Sequence, residues 1–249
     1  MNFFGQSVSW IFDPAHFSGP DGIAARVLAH LLISVSVLLV AAFLAVPLGY
    51  VVGHTGRGRA AAVGLSGAIR ALPTLGLIIL IGLGVGIGLT APFLALVVLA
   101  IPSILAGAYA GFEAIDRATV EAARAVGLTE WQIVTRVEIP LGLPLMIGGL
   151  RAASLQVIAT ATLAAYIDGG GLGLFIFRGL KSNDYPQMLA GSILVIALAF
   201  LSEVVFSVLL RLALPAGVTR WHASQIGRAM HPYPRVLRMA RPRQIKEML

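Results

Sequence analysis

The sequence contains no cysteine. Disulfides, thiolate metal sites and a cysteine nucleophile are therefore excluded, whatever the compartment. Charge is scarce as well: Asp, Glu, Lys and Arg make up 12% of the chain, against roughly 25% in an ordinary soluble domain. So few charges cannot solvate the surface of a water-soluble protein of 249 residues. A phosphate-binding Gly-x-x-x-x-Gly-Lys-Ser/Thr loop is missing too, because both lysines, Lys181 and Lys246, lie outside that context. No Ser-His-Asp set or carboxylate pair stands out in a water-accessible stretch. There is no internal repeat in the roughly 20–50-residue range and no low-complexity tract.

What is present is apolar. Hydrophobic residues make up 58% of the chain, and the mean hydropathy is +0.90. Apolar segments run nearly end to end, which implies one membrane domain. A spanning helix needs about 20 mostly apolar residues, and five candidates meet that length: Val27–Val52, Ala60–Leu89 interrupted by Pro73, Pro92–Gly111, Pro144–Ile167 and Met188–Leu214. The second admits another reading, a membrane-surface helix before Pro73 followed by a short span. Met1 to Trp10 has neither a basic start nor a small-residue cleavage site after a short apolar core, so insertion is expected to use the first span.

Basic residues orient the spans. Arg57, Arg59 and Arg70 follow the first span, and Arg117, Arg124 and Arg136 lie between the third and fourth. From Arg211 onward there are eight Lys or Arg against one acid, Glu247. With five spans these three regions share one side, which predicts an N-terminus outside and a cytoplasmic C-terminus. A basic tail next to a span reads as a cytoplasmic, anionic-leaflet segment rather than a nucleic-acid arm. Of the 28 glycines, Gly107 and Gly111 have the spacing that lets helices approach closely. Gly82, Gly84, Gly86 and Gly88 alternate, which suits close packing better than a helix break.

The polar stretch between the third and fourth spans, about 111–142, holds eight of the twenty charged residues that precede Arg211. Ala118–Val126 is alanine-rich and favours a short helix. Gly127 suits its end, and Thr129 suits the N-cap of a second helix from Glu130. Ile133 and Val137 fall on one face of that helix, and Pro140 is expected to end it. The result is a helix-turn-helix at the membrane surface.

The spacing Glu121-Ala122-Ala123, three residues, Gly127, nine residues, Val137-Glu138-Ile139-Pro140 resembles the EAA loop of bacterial binding-protein-dependent ABC importer permeases. The family ending Ile-x-Leu-Pro is replaced here by like residues. Thr160–Ile167, Gly169-Gly170-Gly171-Leu172-Gly173, Ile176–Leu180 and Arg70–Leu77 resemble the branch that imports glycine betaine, carnitine, choline or proline. Together the resemblance covers about 27–212. Two departures flank the glycine run: Asp168 stands where the branch usually has a small residue, and Leu174 where it often has Asp. They leave the exact substrate open, and the methionine-importer branch has a similar layout.

The resemblance implies an all-α integral membrane permease of about five transmembrane helices, with six as the alternative count. A cytoplasmic coupling helix-turn-helix would lie between the third and fourth spans. Residues 1–26 would be an extracytoplasmic segment, 27–214 the permease domain and 215–249 a cytoplasmic tail. The chain would not itself be an enzyme and would bind no cofactor; ATP and Mg would sit on ABC ATP-binding subunits docked on the loop. A second permease copy or paralogue and an extracytoplasmic solute-binding protein would complete an importer in the bacterial inner membrane. The coupling contact would involve Glu121, Ala122, Ala123, Arg124, Gly127 and Pro140. Candidate pathway residues are Thr160, Thr162, Tyr166, Asp168 and Glu203. Asp168 could meet a quaternary ammonium or simply favour a turn. Glu203 could line the pathway or pair with Arg151. Arg151 and Arg211 are otherwise expected to snorkel from helix ends. Tyr50, Tyr166, Trp131 and Trp221 are too scattered for a cation cage. His30 and His54 have no evident ligand partner, so no metal site is expected. A secondary transporter or channel would need intramembrane coupling residues, for which Glu203 is the clear candidate. A membrane scaffold would depend on the tail.

Overall fold

The computed structural model describes residues 2–213, and these are helices joined by short turns. The expectations for the tail at 215–249, for Trp221 and for the end of the last span at Leu214 lie outside the described residues. The order is α1 (Phe3–Phe12), α2 (Ile23–Thr55), α3 (Arg59–Arg70), α4 (Thr74–Val85), α5 (Thr90–Glu113), α6 (Arg117–Ala125), α7 (Glu130–Ile133), α8 (Ile139–Thr160), α9 (Gly173–Ser182) and α10 (Tyr185–Ala213). Among the described residues, four stretches are long and apolar enough to cross a membrane: Ile23–Thr55, Thr90–Glu113, Glu130–Ile167 and Tyr185–Ala213. A fifth arises if α3 and α4 count as one span, but they meet at 90°.

That right angle decides between the two readings of the second segment. It is not one straight span through Ala60–Leu89. Pro73 takes an extended conformation (φ −69°, ψ 118°) just before α4, as a residue that cannot donate a helical hydrogen bond will. The preceding α3 buries none of its side chains. The alternating glycines also divide: Gly82 and Gly84 lie within α4, whereas Gly86 and Gly88 form its exit.

The fourth span differs more. It does not begin at Pro144, and Pro140 does not end the helix before it. From Glu130 the chain passes through a π-helical stretch, Val134–Glu138, straight into α8. Pro140 sits in the first turn of α8. Its missing N–H is tolerated there, because the wider turn before it has already broken the regular i to i−4 ladder.

At the centre lies α5, with α2 and α8 packed on it. The core is lined by Ile33, Val37 and Ala41 of α2, Leu96, Ala100 and Ile104 of α5, and Ala153 and Val157 of α8. Lipid tails are as apolar as these side chains, so close packing rather than water exclusion holds the helices together. The glycine spacing of α5 serves this packing. A Cβ on Gly107 would meet the Gly149 Cα at 2.6 Å, and one on Gly111 would meet the Gly142 carbonyl oxygen at 2.6 Å. Deeper in the bundle, Gln156 is held by Ser103 and by the Leu99 carbonyl, each at 3.2 Å.

Candidate functional site

With 33 residues, α2 is roughly 50 Å long. That exceeds the hydrocarbon core of about 30 Å, so at least one end projects past it. His54 lies in the last turn of α2, and the polar segment between α5 and α8 gathers around it. Asp116 caps α6 by accepting from the Ala118 N–H at 3.0 Å. Gly127 has a φ of +88°. Its neighbour Leu128 donates back to the Ala123 carbonyl at 3.2 Å, the glycine-ended helix stop that the sequence implies. Thr129 and Gln132 then cap each other's backbone at the start of α7.

Of the residues expected in the coupling contact, Glu121, Ala122, Arg124, Gly127 and Pro140 are exposed and Ala123 is half-buried. No side chain of α6 is buried. A cleft of about 360 Å³ separates it from the ends of α2 and α5, with Glu113, Arg117, Glu121 and Arg124 among its walls. The helix is anchored instead by charge. Arg124 forks onto Glu130 with bonds of 2.7 and 3.0 Å. The guanidinium itself is held in its charged form by that carboxylate, which raises its pKa further. Glu130 then lies 3.4 Å from His54 Nε2, while His54 Nδ1 lies 2.7 Å from the buried carboxylate of Glu138. Sequence reasoning left His54 without a partner. Two signals pointed to it: an imidazole two residues before a helix-ending glycine, and an acid inside an otherwise apolar Val-x-Ile-Pro run.

The other end of α8 is built differently. Ala161–Ile167 tightens into a 3₁₀ helix that stops at Asp168 in the left-handed region (φ 63°). The glycine run then turns the chain back into α9. It packs on His30, a fully buried side chain of α2. The Leu172 N–H donates to His30 Nδ1 at 3.2 Å, so the proton sits on Nε2, which donates to the Ile158 carbonyl at 2.9 Å. A Cβ on Gly171 would meet His30 Nδ1 at 2.9 Å, and one on Gly173 would meet the Thr162 carbonyl oxygen at 1.9 Å. These glycines therefore make a tight return, and His30 is its mould.

The expected pathway residues do not converge. Thr160 and Thr162 spend their hydroxyls on carbonyls of their own helix, Gln156 at 2.7 Å and Ala159 at 2.8 Å. Tyr166 is exposed with its ring edge-on to Phe177. Asp168 is exposed and occupies the turn. Glu203 lies apart on α10, gripped by both nitrogens of an Arg151 fork, one bond measuring 2.7 Å. Arg151 does not snorkel from a helix end; it stands well inside α8 because a carboxylate on the neighbouring helix satisfies it. Ser154 and Ser202 add a second clasp at 2.7 Å.

Near the N-terminus, Asp21 joins Arg26 to Arg178 of α9. Its hydrogen bond with Arg26, then that with Arg178, holds the carboxyl below the usual carboxylate range. Trp10 stacks on His16 and meets Phe175 edge-on at 5.2 Å.

Residues 45–218 match the family model described as binding-protein-dependent transport system inner membrane component. The chain is 31% identical over 189 residues to the glycine betaine/carnitine/choline transport system permease protein OpuCB of Bacillus subtilis (strain 168), covering 76% of this chain and 87% of that one. It is 34% identical over 174 residues to the carnitine transport permease protein OpuCB of Listeria monocytogenes, covering 70% and 80%. Among solved structures, a chain of the inward-facing MetNI methionine ABC transporter superposes with a TM-score of 0.69 at 20% identity, over 78% of this chain and 96% of that one.

Proposed function

Since the chain belongs to the family of binding-protein-dependent transport system inner membrane components, we propose that it forms one half of the pathway of an ABC importer for a compatible solute such as glycine betaine, carnitine, choline or proline. The observation that carries the substrate class is the likeness to permeases named for those solutes, which spans most of both chains. The loop geometry supports the mode of action. A charged, exposed two-helix element anchored by ion pairs over a cleft suits docking of an ATP-binding subunit. Nucleotide binding there would shift the pathway between two populations of states.

In this reading ATP and Mg are held by the docked subunits, and this chain carries the pathway. A second copy or a paralogue completes it, and an extracytoplasmic binding protein delivers the solute. The basic residues around α3, α6 and beyond Arg211 face the cytoplasm. Residues 1–26 lie outside, 27–214 form the membrane domain with its coupling loop at about 111–142, and 215–249 form a cytoplasmic tail. Glu121, Ala122, Ala123, Arg124 and Gly127 meet the ATP-binding subunit. Glu203, the acid an ion-coupled transporter would use, is already engaged by Arg151, which favours the ATP-driven reading.

Purification of the tagged protein from native membranes in mild detergent tests this. An ATP-binding subunit should co-purify, and a co-purified binding protein should bind glycine betaine, carnitine, choline or proline in titrations. Gly127→Pro and Glu121→Lys should lose the ATP-binding subunit while still inserting. A homo-oligomer without any ATP-binding chain would refute the reading, and methionine binding would redirect the substrate.

A further inference from the structure

Glu130 and Glu138 are eight residues apart. On a regular helix of 3.6 residues per turn their side chains would point roughly 80° apart. They nevertheless meet the two nitrogens of one imidazole, Glu138 at 2.7 Å and Glu130 at 3.4 Å. The π-helical stretch Val134–Glu138 lies between them. A π turn takes more residues than an α turn, so each residue in it rotates less, and Glu138 is turned back towards the azimuth of Glu130. The irregularity thus brings two carboxylates onto one line facing α2.

We infer that His54 is a positioning residue that ties the coupling loop to the first span, so that displacement of α6 is passed to α2 through Arg124, Glu130, His54 and Glu138. This rests on the permease reading above. Three observations carry it. The outer helix α6 has no buried side chain and stands over a cleft, so contacts within the apolar core do not transmit its motion. Its Arg124 is forked onto Glu130. The far partner, Glu138, is 6% exposed and lies directly before α8, so the same clasp joins the loop, the first span and the fourth span at one point. The return at the other end of α8, by contrast, is held by backbone packed on His30 rather than by a chain of ion pairs.

The test uses the whole complex purified with its ATP-binding subunit and reconstituted in vesicles. Solute moved per ATP hydrolysed is compared for wild type, His54→Ala, His54→Asn and His54→Gln. An asparagine amide stands where Nδ1 stood and keeps the Glu138 bond; a glutamine amide stands where Nε2 stood and keeps only the longer Glu130 contact. The expected result is a loss of about tenfold in the ratio for His54→Ala, a size usual for coupling between sites. Most of it should return in His54→Asn and less in His54→Gln, with the ATP-binding subunit retained throughout. His54→Ala and Glu138→Ala together should be no worse than either alone. Backbone hydrogen exchange across 130–138 should also rise in His54→Ala. A wild-type ratio in His54→Ala with the subunit bound would overturn the inference, as would unchanged exchange or equal rescue by both amides. If the wild type itself carried no ATP-binding subunit, the permease reading would fall, and the inference with it.

Discussion

The two connections that flank α8 are opposites. The one before it is polar, exposed and held by long side chains: Arg124 on Glu130, and His54 between Glu130 and Glu138. The one after it is tight and held by backbone, with the Leu172 N–H on His30 and Gly169, Gly171 and Gly173 where a Cβ would collide. The contrast is one of stiffness. Ion pairs between flexible side chains can be re-made in a new geometry, whereas a glycine turn moulded on a buried ring has one arrangement. One end of the span is held by contacts that can re-form after a displacement, and the other by contacts that cannot.

The harshest way to break the comparison is at the rigid end. Gly173→Ala would force a Cβ against the Thr162 carbonyl. It should cost about 3 kcal/mol or more, the upper range for overpacking, seen as a lost or sharply lowered thermal transition in detergent. His30→Ala comes next. It empties a buried site and leaves the Leu172 N–H unpaired, which should cost about 2–3 kcal/mol by the desolvation of that group and lower the melting temperature without preventing insertion. Gly127→Ala meets no atom but must adopt a φ of +88°. It should cost about 1 kcal/mol, and hydrogen exchange should rise in 117–133 alone. If His30→Ala were milder than Gly127→Ala, the assignment of stiff and movable ends would be reversed.

The smallest effect concerns pH. Asp21 is held below its ordinary pKa by Arg26 and Arg178. Its contribution is therefore complete above the unfolded value near 3.8 and is lost as the pH falls through the folded value. The difference in thermal transition between wild type and Asp21→Asn should be constant from neutral pH down to about 4 and shrink only below that.

Much of this architecture is legible in the residues. The five apolar segments, the glycine pairing of α5, the stop at Gly127 and the cap at Thr129 are all local in origin, since each follows from hydropathy, spacing or a single residue's backbone preference. The family-like motif at 121–140 was legible for the same reason. The misread features are those in which distant residues or an irregular ladder decide. Pro140 reads as a stop because a proline cannot sit inside a regular ladder, and nothing in Val134–Glu138 announces that the ladder there is π-helical. His54 and His30 look idle because their partners lie at least 76 and 128 residues away. The 90° bend at Pro73 was open because α3 is amphipathic enough to lie on a surface and apolar enough to enter it.

The clasp between Arg151 and Glu203 bears on how such a chain can be made at all. A lone carboxylate at the middle of a span raises the insertion free energy by about 2.5–3.5 kcal/mol, and α10 carries one. Arg151 is 52 residues upstream, so during synthesis its helix has entered the bilayer before Glu203 emerges. The late helix therefore finds its counter-charge already waiting, and the last span can be threaded in against a partner rather than against bare lipid.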